Sequence, residues 1–301
     1  MESPRFNIAA VERDTGLSKD VLRMWERRYG FPVPERDSNG ERSYPPDQVD
    51  RLRLIKRLMD QGHRPGKLIG ASDETLAQLV TRRARPSENH SPAERADLAD
   101  LLTLIKQHDA TAYQQAMQQR LARQGLQRFV QDSVAPLTRQ VGDAWEDGRF
   151  EVFEEHLFTE LTQRLLRQAI AGLPVPARGP RILLTSVPDE LHLLGLLMIE
   201  ALLALEGAEC IPLGTQMPLL DIGRAVEAHA ADIVALSFST AFPQRQTPAL
   251  LLQLRTLLPA GVELWAGGSG ILRLAPIPGI QFMATLDEGV AALAAWRAGR
   301  P

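Results

Sequence analysis

The chain has 301 residues, 44% of them hydrophobic and 24% charged, with a net charge of -3. These are the figures of an ordinary globular protein with room for two domains or three small ones. No apolar run approaches the ~20 residues that span a bilayer, so no membrane partner is expected. The opening MESPRFNIAAVERD lacks a basic-then-apolar leader pattern. A single cysteine, Cys210, excludes an internal disulfide and any CxxC zinc site, and the expected compartment is the reducing cytoplasm. The charge is uneven: residues 1–85 hold 17 Lys+Arg against 13 Asp+Glu, while the remainder holds 17 against 24. One end is suited to a polyanion and the other is not.

In chain order, Asn7 is placed to cap a short helix carrying Ile8 and Val11, and Thr15-Gly16 makes a turn. Ser18 then caps a second helix through about Tyr29. Leu22, Trp25 and Tyr29 share its inward face, which leaves Arg23, Arg27 and Arg28 for a major groove and its phosphates. A two-stranded wing follows, with Arg36 before a turn at Ser38-Asn39-Gly40 and Arg42 and Tyr44 after it. Its guanidinium groups are spaced to straddle a phosphate backbone. A helix from Pro46 points Val49, Leu52, Ile55 and Leu58 inward.

The string TGLSKDVLRMWERRYGFPVPERDSNGERSYPPDQVDRLRLIKRL carries an R-x-W-E-x-R-Y-G core and an R-x-Y after the wing. In this it resembles the MerR family of winged helix-turn-helix regulators. The resemblance implies binding to double-stranded promoter DNA as a dimer or higher oligomer. Ser18, Arg23, Arg27, Arg28, Tyr29, Arg36, Arg42 and Tyr44 are the expected DNA-contacting residues.

Residues 83–92, RARPSENHSP, read as a linker after a reader of residues 1–82. Apolar residues then recur at helical spacing through 93–173, and four helices are expected near 93–107, 109–122, 126–147 and 151–171. They would bury one another's stripes as a small bundle. Across 174–301 the pattern becomes strands at 181–186, 209–213, 232–238, 262–267 and 280–284, alternating with helices at 191–206, 218–230 and 246–258. That alternation predicts a five-stranded, parallel, flavodoxin-like α/β sheet with ligands beyond its carboxyl ends. The expected fold is therefore multidomain: an all-α winged helix-turn-helix, a four-helix bundle and a Rossmann-like domain.

The bundle contains WEDGRFEVFEEH, a W-x9-E-H pattern of Trp145, Glu155 and His156. The sheet domain opens with ELHLLG; forty-one residues then separate Gly195 from Ser237, and Gly267-Gly268 follows the fourth strand. This order resembles the methionine-synthase type of cobalamin module, and the whole chain resembles the CarH/LitR class of B12-dependent, light-responsive repressors.

The resemblance implies adenosylcobalamin as cofactor, with His192 ligating cobalt from below in place of the vitamin's own base. Glu190 would accept the other ring N–H, one methylene further out than the commoner Asp. Gly195 would admit the corrin, and Ser237, Gly267 and Gly268 would line a slot for the nucleotide tail. Trp145 would face the upper group, with Glu155 and His156 as polar contacts. The other histidines carry no assignment.

The function this implies is a repressor, not an enzyme. Cobalamin and light would control its self-association, as dimer or tetramer, and its operator binding. Further partners would be an antirepressor protein or, indirectly, RNA polymerase. The alternative is a regulator of the same kind whose B12-like domain binds no cobalamin and acts through a protein partner or another ligand. A corrinoid carrier or mutase subunit would need a substrate-binding domain or a methyltransferase partner, which the reader does not supply.

Overall fold

The computed structural model describes residues 5–15, 17–37, 40–60, 63–72, 75–76, 79, 92–173 and 179–299. The expected turn residues Gly16, Ser38 and Asn39 and nearly all of the 83–92 linker lie outside these. Among the described residues no helix is long and apolar enough to cross a membrane. The chain divides into two compact units, one centred on the N-terminal segment and one holding the bundle and the parallel sheet.

In the first unit, β1 (Phe6–Asn7) leads into α1 (Ile8–Thr15). The Asn7 side chain caps that helix by accepting from the Ala10 N–H at 2.8 Å. Helix α2 (Lys19–Tyr29) starts at Ser18, whose hydroxyl accepts from the Val21 N–H, and stops at Gly30 with φ 67. That left-handed turn is where glycine costs least. Strands β2 (Glu35–Arg36) and β3 (Arg42–Tyr44) form the expected wing. Strand β1 also pairs with β3, making a three-stranded sheet in the order β1-β3-β2 rather than a two-stranded one. Helix α3 (Pro46–Asp60) points Val49, Leu52, Ile55 and Leu58 into the core with no exposure, as its spacing predicts. A short α4 (Pro65–Ile69) follows with Leu68 and Ile69 buried, and Leu76 beyond it joins the same core.

The second unit begins with the bundle: α5 (Pro92–Lys106), α6 (Ala110–Arg128), a π-helical turn (Phe129–Val134), α7 (Ala135–Glu146) and α8 (Val152–Ala171). The break expected between the second and third helices falls at Gly125, φ 73 and ψ 162, where the rod bends back so that Ser133 donates to the Gln124 side chain at 3.0 Å across the corner. Only glycine occupies such a backbone cheaply.

Five parallel strands follow: β4 (Arg181–Thr185), β5 (Glu209–Gly214), β6 (Ile233–Ser237), β7 (Glu263–Gly267) and β8 (Gln281–Met283). Their order, β5-β4-β6-β7-β8, is the flavodoxin-like arrangement. Helices α9 (Leu194–Leu205), α10 (Leu219–His229), α11 (Thr247–Leu257) and α12 (Leu286–Ala298) connect and close the sheet.

Helix α9, LGLLMIEALLAL, is apolar on nearly every side because it is buried on two. Leu196 and Leu203 join the sheet core with Ile182, Ile233 and Trp265. Leu194, Leu197, Met198, Ala201 and Leu202 join the bundle core with Phe129, Leu137 and Phe158. The bundle is thereby packed onto the helix that directly follows the His192 loop.

Candidate functional site

Sheets of this order switch winding direction between their first and third strands, here β4 and β6, and ligands bind beyond the carboxyl ends at that crevice. The chain places its candidate lower-face residues there. After β4, Glu190 turns its carboxylate inward until it is 1% exposed. A carboxylate buried without partners would be prohibitive, so its hydrogen bonds decide whether the site can exist.

Those bonds are several. The Glu190 Oε1 lies 2.8 Å from His192 Nδ1 and accepts from the His192 backbone N–H at 3.0 Å. The Oε2 accepts from the Ser239 N–H at 2.7 Å and from the Ser239 hydroxyl at 2.9 Å. The Ser186 hydroxyl donates to the Glu190 carbonyl at 2.6 Å and accepts from the Gln216 N–H at 3.0 Å. Burial pushes the Glu190 carboxyl up, but the His192 side chain and the two backbone N–H groups outweigh it, so its pKa sits below the ordinary value. The carboxylate is therefore ionised and fixes the His192 ring with Nδ1 toward it. Nε2 is then the ring nitrogen that would meet a metal, and the side chain is 57% exposed beside Leu191, itself 63% exposed.

The slot residues also converge. A Cβ built on Gly195 would stand 2.6 Å from the Ser237 hydroxyl, so a larger residue there would force that hydroxyl to another rotamer. Ser237 pairs in register with Gly267 of β7. At Gly268, φ 94, a Cβ would meet the Phe238 carbonyl oxygen at 2.4 Å, whereas at Gly267 the nearest atom would be 3.5 Å away. A histidine aimed by a buried carboxylate at the carboxyl edge of the sheet, beside closely packed glycines, is a donor set that fits the cobalt of a corrin.

In the bundle, Trp145 is half-buried against the apolar core at the end of α7. Glu155 and His156 sit in the first turns of α8 and pair at 2.8 Å through His156 Nδ1, which also lies 2.9 Å from the Val152 carbonyl. Thr159 donates to Glu155 at 2.7 Å.

Sequence reasoning missed Ser239 and Ser186. Ser239 is the second serine of Ser237-Phe238-Ser239, where strand alternation already put two hydroxyls on one side of the sheet's carboxyl edge.

On the reader, Arg23, Arg27 and Arg28 are exposed along α2. Arg23 pairs loosely with Asp20 at 3.4 Å and Arg27 Nε approaches the Arg23 carbonyl at the same distance. The Arg28 guanidinium lies over the Tyr29 ring at 5.3 Å. Tyr29 does not pack inward as its spacing predicts: it is 36% exposed, because α2 ends there at Gly30 and the ring rests against Gly66 at the edge of the core. Ser18 serves as the α2 cap.

On the wing, Arg36 is exposed and donates to the Gly40 carbonyl at 2.7 Å. Arg42 is half-buried and reaches Glu26 of α2 at 2.8 Å, tying the wing to the recognition helix. Tyr44 is fully buried in the reader core, its hydroxyl has no hydrogen-bond partner among the described residues, and burial pushes its pKa up. These placements make Arg42 and Tyr44 props of the wing, and leave Arg23, Arg27, Arg28 and Arg36 as the outward cations.

Comparison with known proteins agrees with both halves. Residues 6–71 match the MerR HTH family of regulatory proteins, and residues 98–170 match a B12 binding domain family. The chain is 31% identical over 268 residues to the HTH-type transcriptional repressor CarH of Myxococcus xanthus, covering 88% of each. It is 30% identical over 269 residues to the repressor CarA of the same organism, covering 88% of this chain and 87% of that one. Its fold is similar to that of the Methanosarcina barkeri monomethylamine corrinoid protein, with a TM-score of 0.55 at 14% identity over 67% of this chain and 99% of the other. The chain belongs to the family of MerR-type transcriptional repressors that carry a B12-binding domain, the family of CarH and CarA.

Proposed function

We propose that this chain is a repressor whose self-association and operator binding are set by adenosylcobalamin and light, with His192 as the lower axial ligand. The observation that carries the reading is the Glu190 hub, a buried ionised carboxylate that orients His192 Nδ1 and is itself held by Ser239. Hydrogen bonding of this kind fixes the tautomer and raises the basicity of a ligating imidazole. When bound, the cofactor supplies a cobalt–carbon bond that light can break.

The chain's own residues would divide the remaining work. His192 holds from below; Gly195, Ser237, Gly267 and Gly268 admit the tail; Trp145, Glu155 and His156 close over the upper group. We assign residues 1–82 to the reader, 83–92 to a linker, 93–173 to the cap and 174–301 to the cobalamin domain. Ser18, Arg23, Arg27, Arg28, Tyr29 and Arg36 would meet promoter DNA directly, with Arg42 and Tyr44 shaping the wing. A second copy of the chain is the partner that paired half-sites require, and differential affinity of the cofactor for two assembly states would supply the switch.

The test is the absorption spectrum and the mass of the assembly after incubation with adenosylcobalamin in the dark and again after green light, for wild type and His192→Ala. A retained corrin spectrum that changes with light, together with a change in mass, is expected, and the His-ligated signature should vanish in the variant. Protein that stays colourless under every condition would instead make the B12-like domain a docking module for a protein.

A further inference from the structure

The bundle holds a second buried carboxylate that the reading above leaves unused. Glu154 is 3% exposed and stands in the first turn of α8, immediately before Glu155 and His156. It belongs to a capping box: the Glu151 N–H donates to Glu154 Oε2 at 2.8 Å, and the Glu154 N–H returns to the Glu151 side chain. A capping box needs no more than that.

Here two further side chains converge on the same carboxylate from the corner between α5 and α6. Lys106 Nζ lies 2.8 Å from Oε2, and His108 Nε2 lies 3.3 Å from Oε1. His108 reaches it from a left-handed backbone, φ 60, a region non-glycine residues seldom occupy. Both residues also grip aromatic rings on the same segment. The His108 ring packs on Phe153 with centroids 5.2 Å apart, and Lys106 Nζ stands 5.5 Å from the Phe150 ring centroid. Residues 150–154 are thus held twice over, by charge and by ring, from a point some fifty residues earlier in the chain.

Fraying is cheapest at a helix terminus, where backbone N–H groups lack partners inside the helix. Cutting the clamp would leave Glu154 buried with its capping bond alone, and a buried charge stripped of its partner drives local opening. The turn that would open is the one bearing Glu155 and His156.

We propose that Lys106 and His108 are positioning residues: by clamping Glu154 they fix the first turn of α8 and so set where Glu155 and His156 stand over the upper face of the cofactor. The part that concerns the cofactor rests on the cobalamin reading.

The test uses the full chain with Lys106→Met and His108→Ala combined, beside Lys106→Arg, and two readouts. Without ligand, amide hydrogen exchange over residues 152–156 should quicken about tenfold in the double variant while the bundle core around Leu101 and Leu161 stays as in wild type. With ligand, the preference for adenosylcobalamin over methylcobalamin, which differ only in their upper groups, should fall about tenfold as a ratio of Kd values. Lys106→Arg should restore both.

Unchanged exchange, exchange that rises throughout the bundle, or an equal loss of both affinities with an unaltered ratio would each overturn the proposal. Wild type that retains neither cobalamin would overturn the cobalamin reading instead, and the exchange result would then decide the clamp alone.

Discussion

The two candidate interfaces are built on opposite plans. On the reader, the outward cations act almost singly: Arg23 shares a 3.4 Å pair with an exposed Asp20, and Arg36 leans on a backbone carbonyl. At the sheet edge, one buried carboxylate gathers His192, Ser239 and two backbone N–H groups, and Gly195, Gly267 and Gly268 let the neighbouring backbones approach closely. A surface that reads a phosphate backbone gains from mobile, solvated charges, because its partner brings the opposite charge. A pocket that must aim one ring nitrogen requires that aim to be fixed before the partner arrives. Changes at the sheet edge should therefore register in stability, and changes on the reader should register mainly in DNA affinity.

The sharpest test is between adjacent glycines. Gly268→Ala meets both a forbidden backbone and a carbonyl oxygen at 2.4 Å, and thermal unfolding should show a loss of about 3 kcal/mol or more. Gly267→Ala, with 3.5 Å of room, should cost under about 1 kcal/mol. Equal losses would mean that the slot is not shaped as described.

Next, Glu190→Ala strands the Ser239 N–H and the His192 ring, and denaturant melts should reveal a loss of about 2 kcal/mol, as for other buried groups left without partners. The same carboxylate gives a pH signature. Its pKa is lowered by folding, so its contribution is complete above the unfolded value and is lost as pH falls through the folded one. Acid melts of wild type and Glu190→Ala should accordingly converge below that point and diverge toward neutrality.

On the reader, Arg42→Ala breaks a half-buried pair with Glu26 and should cost about 1 kcal/mol of stability. Arg23→Ala, the smallest effect on the fold, should shift thermal unfolding by less than about 0.5 kcal/mol. It should nonetheless weaken operator binding in a titration and reduce the slope of log K against log salt by roughly one. A stability loss at Arg23 as large as that at Glu190 would erase the contrast.

Much of this architecture was legible because its signals are local. The strands are short apolar runs between turn residues, and each expected strand lies within a residue or two of an observed one. Helix α12 was not anticipated, since its Ala-rich sequence with Gly289 has almost no polar face to define a period. Its start was nonetheless written as Thr285-x-x-Glu288, with Thr285 accepting from the Glu288 N–H and Glu288 accepting from the Ala284 N–H. Tyr29 misled because helical spacing says which side a residue is on and not where the core stops. Alternation places the Ser239 hydroxyl at the carboxyl edge, but its partner was not legible: it lies 49 residues from Glu190, and only the strand order, which sets β6 beside β4, brings them together.

Helix α9 also bears on how the protein can be divided. A fragment covering residues 179–299 alone would keep a complete five-stranded sheet, yet would turn Leu194, Leu197, Met198, Ala201 and Leu202 toward water as one sticky stripe. Such a patch invites self-association, so the fragment should precipitate or pair with itself, whereas one beginning at residue 92 should remain dispersed. Bundle and sheet therefore behave as one soluble piece, cut only at the cost of exposing the helix they share.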